Sequence, residues 1–232
     1  LSPIANPAVK LKSEDFRLVQ MIGTAPLVIV ARSDLPADSA DELVALARSR
    51  SASQSLTFGS VGVGSLYHVL GEHLAHTIGA NMVHVPYKGG APLMQDIGGG
   101  QVDLAILPLS QQQMALAEQG RIKLVATLDA QRSQLPSLTA VPSVNEGQLL
   151  KGFNFTTWTG YFVKRDTPED VVLRLHAALN DAMQDPAVKR GLEFQNILVS
   201  DPMGADAAEA MYRAETGRFR EIANRVDGAA KP

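Results

Sequence analysis

Glycine-rich turns carry the residues of this chain whose types and spacing could bind a small anion. The first is FGSVGVGSLYH at 58–68, where Ser60, Gly62, Gly64 and Ser65 alternate with apolar residues. Glycines let the backbone turn tightly, and the helical pattern that begins at Ser65 would present N–H groups without intrahelical partners. The stretch is therefore a candidate anion site, and a tight turn with Ser65 as a simple helix cap is the alternative.

Position by position, this stretch fails the enzyme motifs that it superficially resembles. A dinucleotide fingerprint G-x-G-x-x-G would place a third glycine where Tyr67 stands. A phosphate loop requires a lysine after Gly64, where Ser65 stands. The serine hydrolase pattern G-x-S-x-G fails because Phe58 precedes Ser60 by two positions, and Tyr67 follows Ser65 by two. We therefore predict a protein that is not an enzyme and that needs no cofactor.

Two later turns repeat the arrangement of a strand end followed by a helix start. The second is YKGGAP at 87–92, and the third is LPLSQQ at 107–112. In a parallel α/β sheet the carboxyl ends of the strands meet at one edge, where ligands bind. We therefore predict one small-anion site built from all three turns.

Composition excludes several other classes of protein. The 232 residues carry a net charge of −3 with scattered lysines and arginines, which disfavours a nucleic-acid partner. There is no cysteine, so zinc fingers and cysteine nucleophiles are excluded. No apolar run approaches the roughly 18 residues of a membrane helix, so we predict no membrane-embedded segment. His68, His73 and His76 share one predicted helix without a further evident ligand, and we predict no metal site there.

The elements that must position the three turns follow an alternating strand and helix pattern. Between residues 30 and 157 this alternation, with short connections, predicts an α/β unit with a largely parallel sheet. The flanking segments at 1–29 and 158–232 are mainly helical and contribute only one or two strands. We assign them to another lobe, whose remaining strands are expected to be absent from the chain or supplied by a partner.

At this point the chain resembles a known family, the periplasmic substrate-binding proteins of tripartite tricarboxylate transporters, often called Bug receptors. The order and spacing of the motifs fit over nearly the whole chain. The segments that carry the resemblance are FGSVGVGSLYHVLGEHL (58–74), MVHVPYKGGAP (82–92), GGQVDLAIL (99–107), LPSLTAVPSVNEG (135–147) and WTGYFVKRDTPEDVVLRL (158–175).

The resemblance implies a periplasmic binding protein of the type II-like, Venus-flytrap class, with two α/β lobes joined by a hinge. Residues 30–157 would form the second lobe, and 1–29 with 158–232 a first lobe truncated at its N-terminus. The implied function is capture of a small organic acid in the periplasm and its delivery to membrane transporter subunits. Family members bind the carboxylate largely through backbone N–H groups and hydroxyls. Carried over to this chain, the resemblance implies a carboxylate site at Ser60, Gly62, Gly64, Ser65, Tyr87, Lys88, Gly89, Pro108 and Ser110. Many members have an Asp-Asn pair where this chain has Ile106-Leu107-Pro108, which disfavours an amino-acid ligand. An effector-binding domain of similar fold, as in LysR-type regulators, is the alternative.

Overall fold

The computed structural model describes residue 10, residues 12–201 and residues 203–229, with side chains through residue 224. The parts of the predicted first lobe at 1–9 and 230–232 lie outside these residues. No helix in the described ranges is long and apolar enough to cross a membrane. The strands are β1 (Phe16–Arg32), β2 (Leu56–Ser60), β3 (Met82–Pro86), β4 (Leu104–Pro108), β5 (Ile122–Thr127), β6 (Thr156–Lys164) and β7 (Leu198–Val199). The helices are α1 (Ala40–Ser49), α2 (Leu66–Ile78), α3 (Gly90–Gly98), α4 (Gln111–Glu118), α5 (Glu169–Gln184), α6 (Pro186–Phe194) and α7 (Ala205–Ala229).

The order of elements confirms the α/β class, but the sheet is mixed. The main path of strands runs β3-β2-β4-β1-β5. Strands β2, β3 and β4 pair in parallel, whereas β1 is antiparallel to both β4 and β5. The prediction of a largely parallel sheet is therefore wrong for β1. The direction of β1 depends on its pairing with strands far away in sequence, and it runs antiparallel to β6 as well.

Strand β1 connects two sheets without a break. Residues from Phe16 to Pro26 pair with β6, and residues from Leu27 onward pair with β4 and β5. The change of partner therefore falls between Pro26 and Leu27, slightly before the lobe boundary expected after residue 29. The hydrophobic pattern of the sequence shows only an apolar strand here. It cannot locate the change from β6 to β4 and β5, because those pairing partners lie far away in sequence. The division into two lobes stays a prediction.

The core lies on both faces of the sheet because β1 alternates its side chains between them. Leu27 and Ile29 face a cluster built with α1, α2 and α7, while Val28 and Val30 face a cluster built with α3. All four side chains are fully buried. The sheet is thus a layer between helices, which fixes the ends of β2, β3 and β4 relative to one another.

Candidate functional site

The structure brings the three predicted turns to the same edge of the sheet. Parallel pairing places Ser60 at the end of β2 beside Pro86 at the end of β3. The amide of Tyr87 donates to the carbonyl of Ser60 at 2.8 Å, which extends this contact beyond the strands. Strand β4 pairs with β2 on its other side, so its end at Pro108 lies at the same edge. The convergence that the strand pattern predicts is therefore present.

The first turn leads from β2 into α2 through two glycines with left-handed backbone angles. Gly62 has φ 130° and Gly64 has φ 79°, and an L side chain would be strained at either position. Ser65 is the N-cap of α2, and its hydroxyl accepts from the His68 amide at 3.2 Å. The amides of the first helical turn have no intrahelical carbonyl to bind, and the helix dipole favours an anion near them.

The second turn leads from β3 into the start of α3, and no side chain caps that helix start. The N-cap is Gly89 at φ 152°, and it makes no side-chain cap hydrogen bond. Tyr87 does not point away from the protein, since its hydroxyl donates to the Asp96 carboxylate at 2.6 Å and so joins β3 to α3. Burial, followed by this carboxylate, raises the pKa of Tyr87 to about 12. Lys88 is exposed beside this helix start.

The third turn is capped by a serine, as the first turn is, whereas the second has no side-chain cap. Ser110 caps α4, and its hydroxyl accepts from the Gln113 amide at 3.3 Å. The Gln113 side chain in turn accepts from the Ser110 amide at 3.0 Å, which completes a capping box. Pro108 ends β4 opposite Leu27. Ligand contact by Pro108 and Ser110 stays a prediction. Of the three helix starts, that of α3 has no side-chain cap.

A buried hydrogen-bond group beneath the first turn was missed by reasoning from the sequence. Ser60 is fully buried, and its Oγ lies 2.7 Å from Nε2 of His84 on the neighbouring strand. The same Oγ donates to the Gly62 carbonyl at 3.0 Å and accepts from the Gly62 amide at 3.2 Å. The contact with His84 arises from the parallel register of β2 and β3. That register pairs Phe58 with His84 and so puts His84 on the sheet face that Phe58 and Ser60 share. The sequence predicts both strands but not this register.

A second polar group holds the opposite ends of the strands. Asp103, just before β4, accepts from Arg32 Nε at 2.8 Å and from the Thr57 amide at 2.7 Å. It also accepts from the Thr57 hydroxyl at 3.0 Å, and that hydroxyl accepts from the Asp103 amide at 2.9 Å. These bonds join β1, β2 and β4 at the end remote from the turns, and so fix how far each strand reaches toward the site.

A small cavity adjoins the first turn of α2. Its volume is about 180 Å³, and its lining combines apolar and hydroxyl groups with the side chain of Glu215. The lining includes Leu66, Thr157, Trp158, Tyr212, Thr216 and Phe219. The space beside the α2 start is thus bounded on its far side by β6 and α7.

The histidines of α2 lie in different surroundings. The His73 ring packs on Phe153, with ring centroids 5.3 Å apart, and His76 is exposed in the last turn. Across the described ranges, no group of three His, Cys, Asp or Glu side chains is placed to hold a metal ion.

Comparison with known proteins agrees with this architecture. Residues 2–222 match the family model for the tripartite tricarboxylate transporter family receptor. A UPF0065 protein from Pseudomonas sp. strain P51, encoded between tcbD and tcbE, is 33% identical over 218 residues. That alignment covers 93% of this chain and 63% of the relative, so the chain spans less than two thirds of that protein's length.

Two solved structures from Rhodopseudomonas palustris share the fold. MatC with bound malate has a TM-score of 0.83 at 24% identity, over 95% of this chain and 74% of that one. Rpa4515 with adipate has a TM-score of 0.79 at 26% identity, over 93% of this chain and 70% of that one. Such relatives give no support to the regulator alternative. The chain belongs to the tripartite tricarboxylate transporter receptor family.

Proposed function

We propose that this protein is a periplasmic receptor that captures a small organic carboxylate and presents it to the membrane subunits of a tripartite transporter. The observation that carries the proposal is the pair of neighbouring helix starts at α2 and α3. Both follow parallel strands, and both are entered through positive-φ glycines, Gly64 and Gly89. Amides at two such ends would share one carboxylate. No catalytic step is required of any residue.

The choice of ligand class draws on a relative. Rpa4515, 26% identical, is described with adipate, a dicarboxylate. Lys88, exposed beside the α3 start, would add positive charge at the rim of the site. We therefore infer a dicarboxylate or a similar small organic acid as the ligand of this chain.

The direct test is a thermal-shift and calorimetric titration of this chain with sodium adipate and sodium malate. Glucose and sodium chloride at matched ionic strength are the controls. A ligand at 100 times its Kd stabilises a protein by about 2.7 kcal/mol, and each kcal/mol raises Tm by about 2–4 °C for a chain of this size. An acid that binds should therefore raise Tm by several degrees. A shift with glucose and none with any acid would overturn the proposal.

Substitution of Gly89 tests the location of the site. Gly89→Ala puts a side chain at φ 152° at the open start of α3, and Gly100→Ala does so at φ 74° in the turn after α3. Neither added Cβ would meet an atom within 4 Å, so both changes strain the backbone without a clash. We expect both variants to lose stability but only Gly89→Ala to lose acid binding. Equal acid binding by the two variants would remove the α3 start from the site.

A further inference from the structure

Two histidine rings pack against each other beside the first glycine turn. The His84 ring centroid is 4.9 Å from that of Phe58 and 4.1 Å from that of His68. His84 comes from β3 and His68 from the first turn of α2. Each histidine contacts a different part of the turn from Ser60 to Ser65, so together they hold it at both ends.

The bonds of Ser60 determine which nitrogen of His84 carries the proton. The Ser60 hydroxyl donates to the Gly62 carbonyl oxygen at 3.0 Å. The single hydroxyl proton is therefore used on Gly62. Because the 2.7 Å contact between Oγ and His84 Nε2 also needs a proton, Nε2 must supply it. His84 is thus a neutral donor at Nε2. Ser60, fixed by this bond, hydrogen-bonds both the carbonyl and the amide of Gly62.

His68 has the complementary role at the other end of the turn. The Gly64 amide donates to its Nδ1 at 3.2 Å, so Nδ1 must be without a proton. In the neutral ring the proton then lies on Nε2, which is 3.8 Å from Oε1 of Glu72 one helical turn along. A second proton on His68 would fall on Nδ1 and end its bond to Gly64.

We propose that His84 and His68 are positioning residues, a donor and an acceptor that fix the Ser60–Ser65 turn so that its helix-start amides meet a carboxylate. The role in binding rests on the proposed function, whereas the hold on the turn does not. Groups that face the pair include the Ser60 hydroxyl from β2 and the Glu72 carboxylate from α2. Burial and the nearby His68 lower the pKa of His84 to about 4, so it stays a neutral ring at neutral pH.

The first test needs no variant and no ligand. Nitrogen-15 NMR of the histidine rings distinguishes the two neutral tautomers, and we expect the proton on Nε2 in both His84 and His68. Amide exchange should show protection of Gly62 and Gly64. A proton on Nδ1 of either ring would overturn the proposal, whatever the ligand proves to be.

The second test separates positioning from packing with matched substitutions. His84→Gln keeps an N–H donor near the Nε2 position, and His84→Leu removes it; His68→Asn keeps an acceptor near Nδ1, and His68→Leu removes it. His76→Leu, on the exposed side of the same helix, is the control. We expect each leucine variant at 84 or 68 to speed amide exchange in the turn and to weaken adipate binding about tenfold, the cost of one lost hydrogen bond. The Gln and Asn variants should bind more tightly than their leucine counterparts.

The outcomes distinguish this proposal from the proposed function. If the parent chain binds no acid, the receptor function fails, and the ring tautomers and amide exchange still decide the positioning role. If it binds acid and the leucine variants match His76→Leu in both exchange and affinity, the positioning role is wrong. Should His84→Leu fail to fold, Ser60→Ala removes the same link from the other side and is read in the same way.

Discussion

The contact between Gly71 and Phe58 gives the sharpest prediction, because the ring that Gly71 accommodates is the ring on which His84 stacks. A Cβ at Gly71 would lie 2.1 Å and 2.3 Å from two carbons of the Phe58 ring, far inside ordinary contact, which begins at 3.4 Å. Phe58 is 1% exposed, so its ring has no solvent to move into. Gly71→Ala must therefore displace the ring within a packed core.

The magnitude follows from two opposing effects. Overpacking a core costs typically about 1–3 kcal/mol, while replacing a helical glycine by alanine gains about 1 kcal/mol. Gly191→Ala is the matched control, since Gly191 is an exposed helical position with no atom within 4 Å of the added Cβ. We expect Gly191→Ala to stabilise the chain by up to about 1 kcal/mol. Gly71→Ala should be less stable than this control by about 1–3 kcal/mol, the steric cost alone.

Urea unfolding followed by circular dichroism measures both variants. The double variant Gly71→Ala with Phe58→Leu should recover stability, since the smaller side chain makes room for the methyl group, and the double-mutant cycle should show a coupling energy of about 1 kcal/mol or more. If Gly71→Ala is as stable as Gly191→Ala, or if the two changes at 71 and 58 are simply additive, the packing argument is refuted.

Three further predictions concern the polar groups around the site. Asp103→Ala leaves part-buried donors on β1 and β2, the strands on either side of β4, without an acceptor. It should cost about 1–3 kcal/mol in urea unfolding, against less than about 0.5 kcal/mol for the exposed Asp166→Ala; equal costs would contradict the proposed strand tie. Because the pKa of His84 is about 4 in the folded chain and 6.5 for an unperturbed histidine, the unfolded chain binds more protons between these values. The His84 contribution to stability should therefore be present above pH 6.5 and lost as the pH falls toward 4, and subtraction of the His84→Gln curve isolates it; a difference that does not change with pH would count against the buried neutral ring. Tyr87→Phe removes the bond to Asp96 and should lower stability by about 1–2 kcal/mol, with the double change to Tyr87→Phe and Asp96→Asn costing little more; full additivity would show that the bond contributes nothing.

Much of the secondary structure was accessible from local patterns. The helix expected from Ser65 is found at Leu66–Ile78 with Ser65 as its N-cap, and the helix expected after the third turn is found at Gln111–Glu118 with Ser110 as its N-cap. These elements are determined by neighbours in sequence, namely an apolar stripe and a capping side chain. The meeting of three turns at one edge also followed, because parallel strands place their carboxyl ends together.

The direction of β1 and the change of partner within it were not accessible. A strand of alternating apolar residues fits a sheet in either direction, and the choice depends on backbone hydrogen bonds to residues far away along the chain, as in the pairing of Phe16 with Lys164. The prediction of a largely parallel sheet is wrong at β1 for this reason.

The sequence by itself determined which residue types form the candidate site and where their turns lie along the chain. Glycine is needed at Gly62, Gly64 and Gly89 because their φ angles are positive, and this requirement is local. Only the tertiary structure decided that His84 meets Ser60 and packs against His68, because those contacts depend on the register of β2 and β3 and on how α2 packs across them. A one-residue shift in that register would put His84 on the opposite face of the sheet and leave Ser60 without this partner.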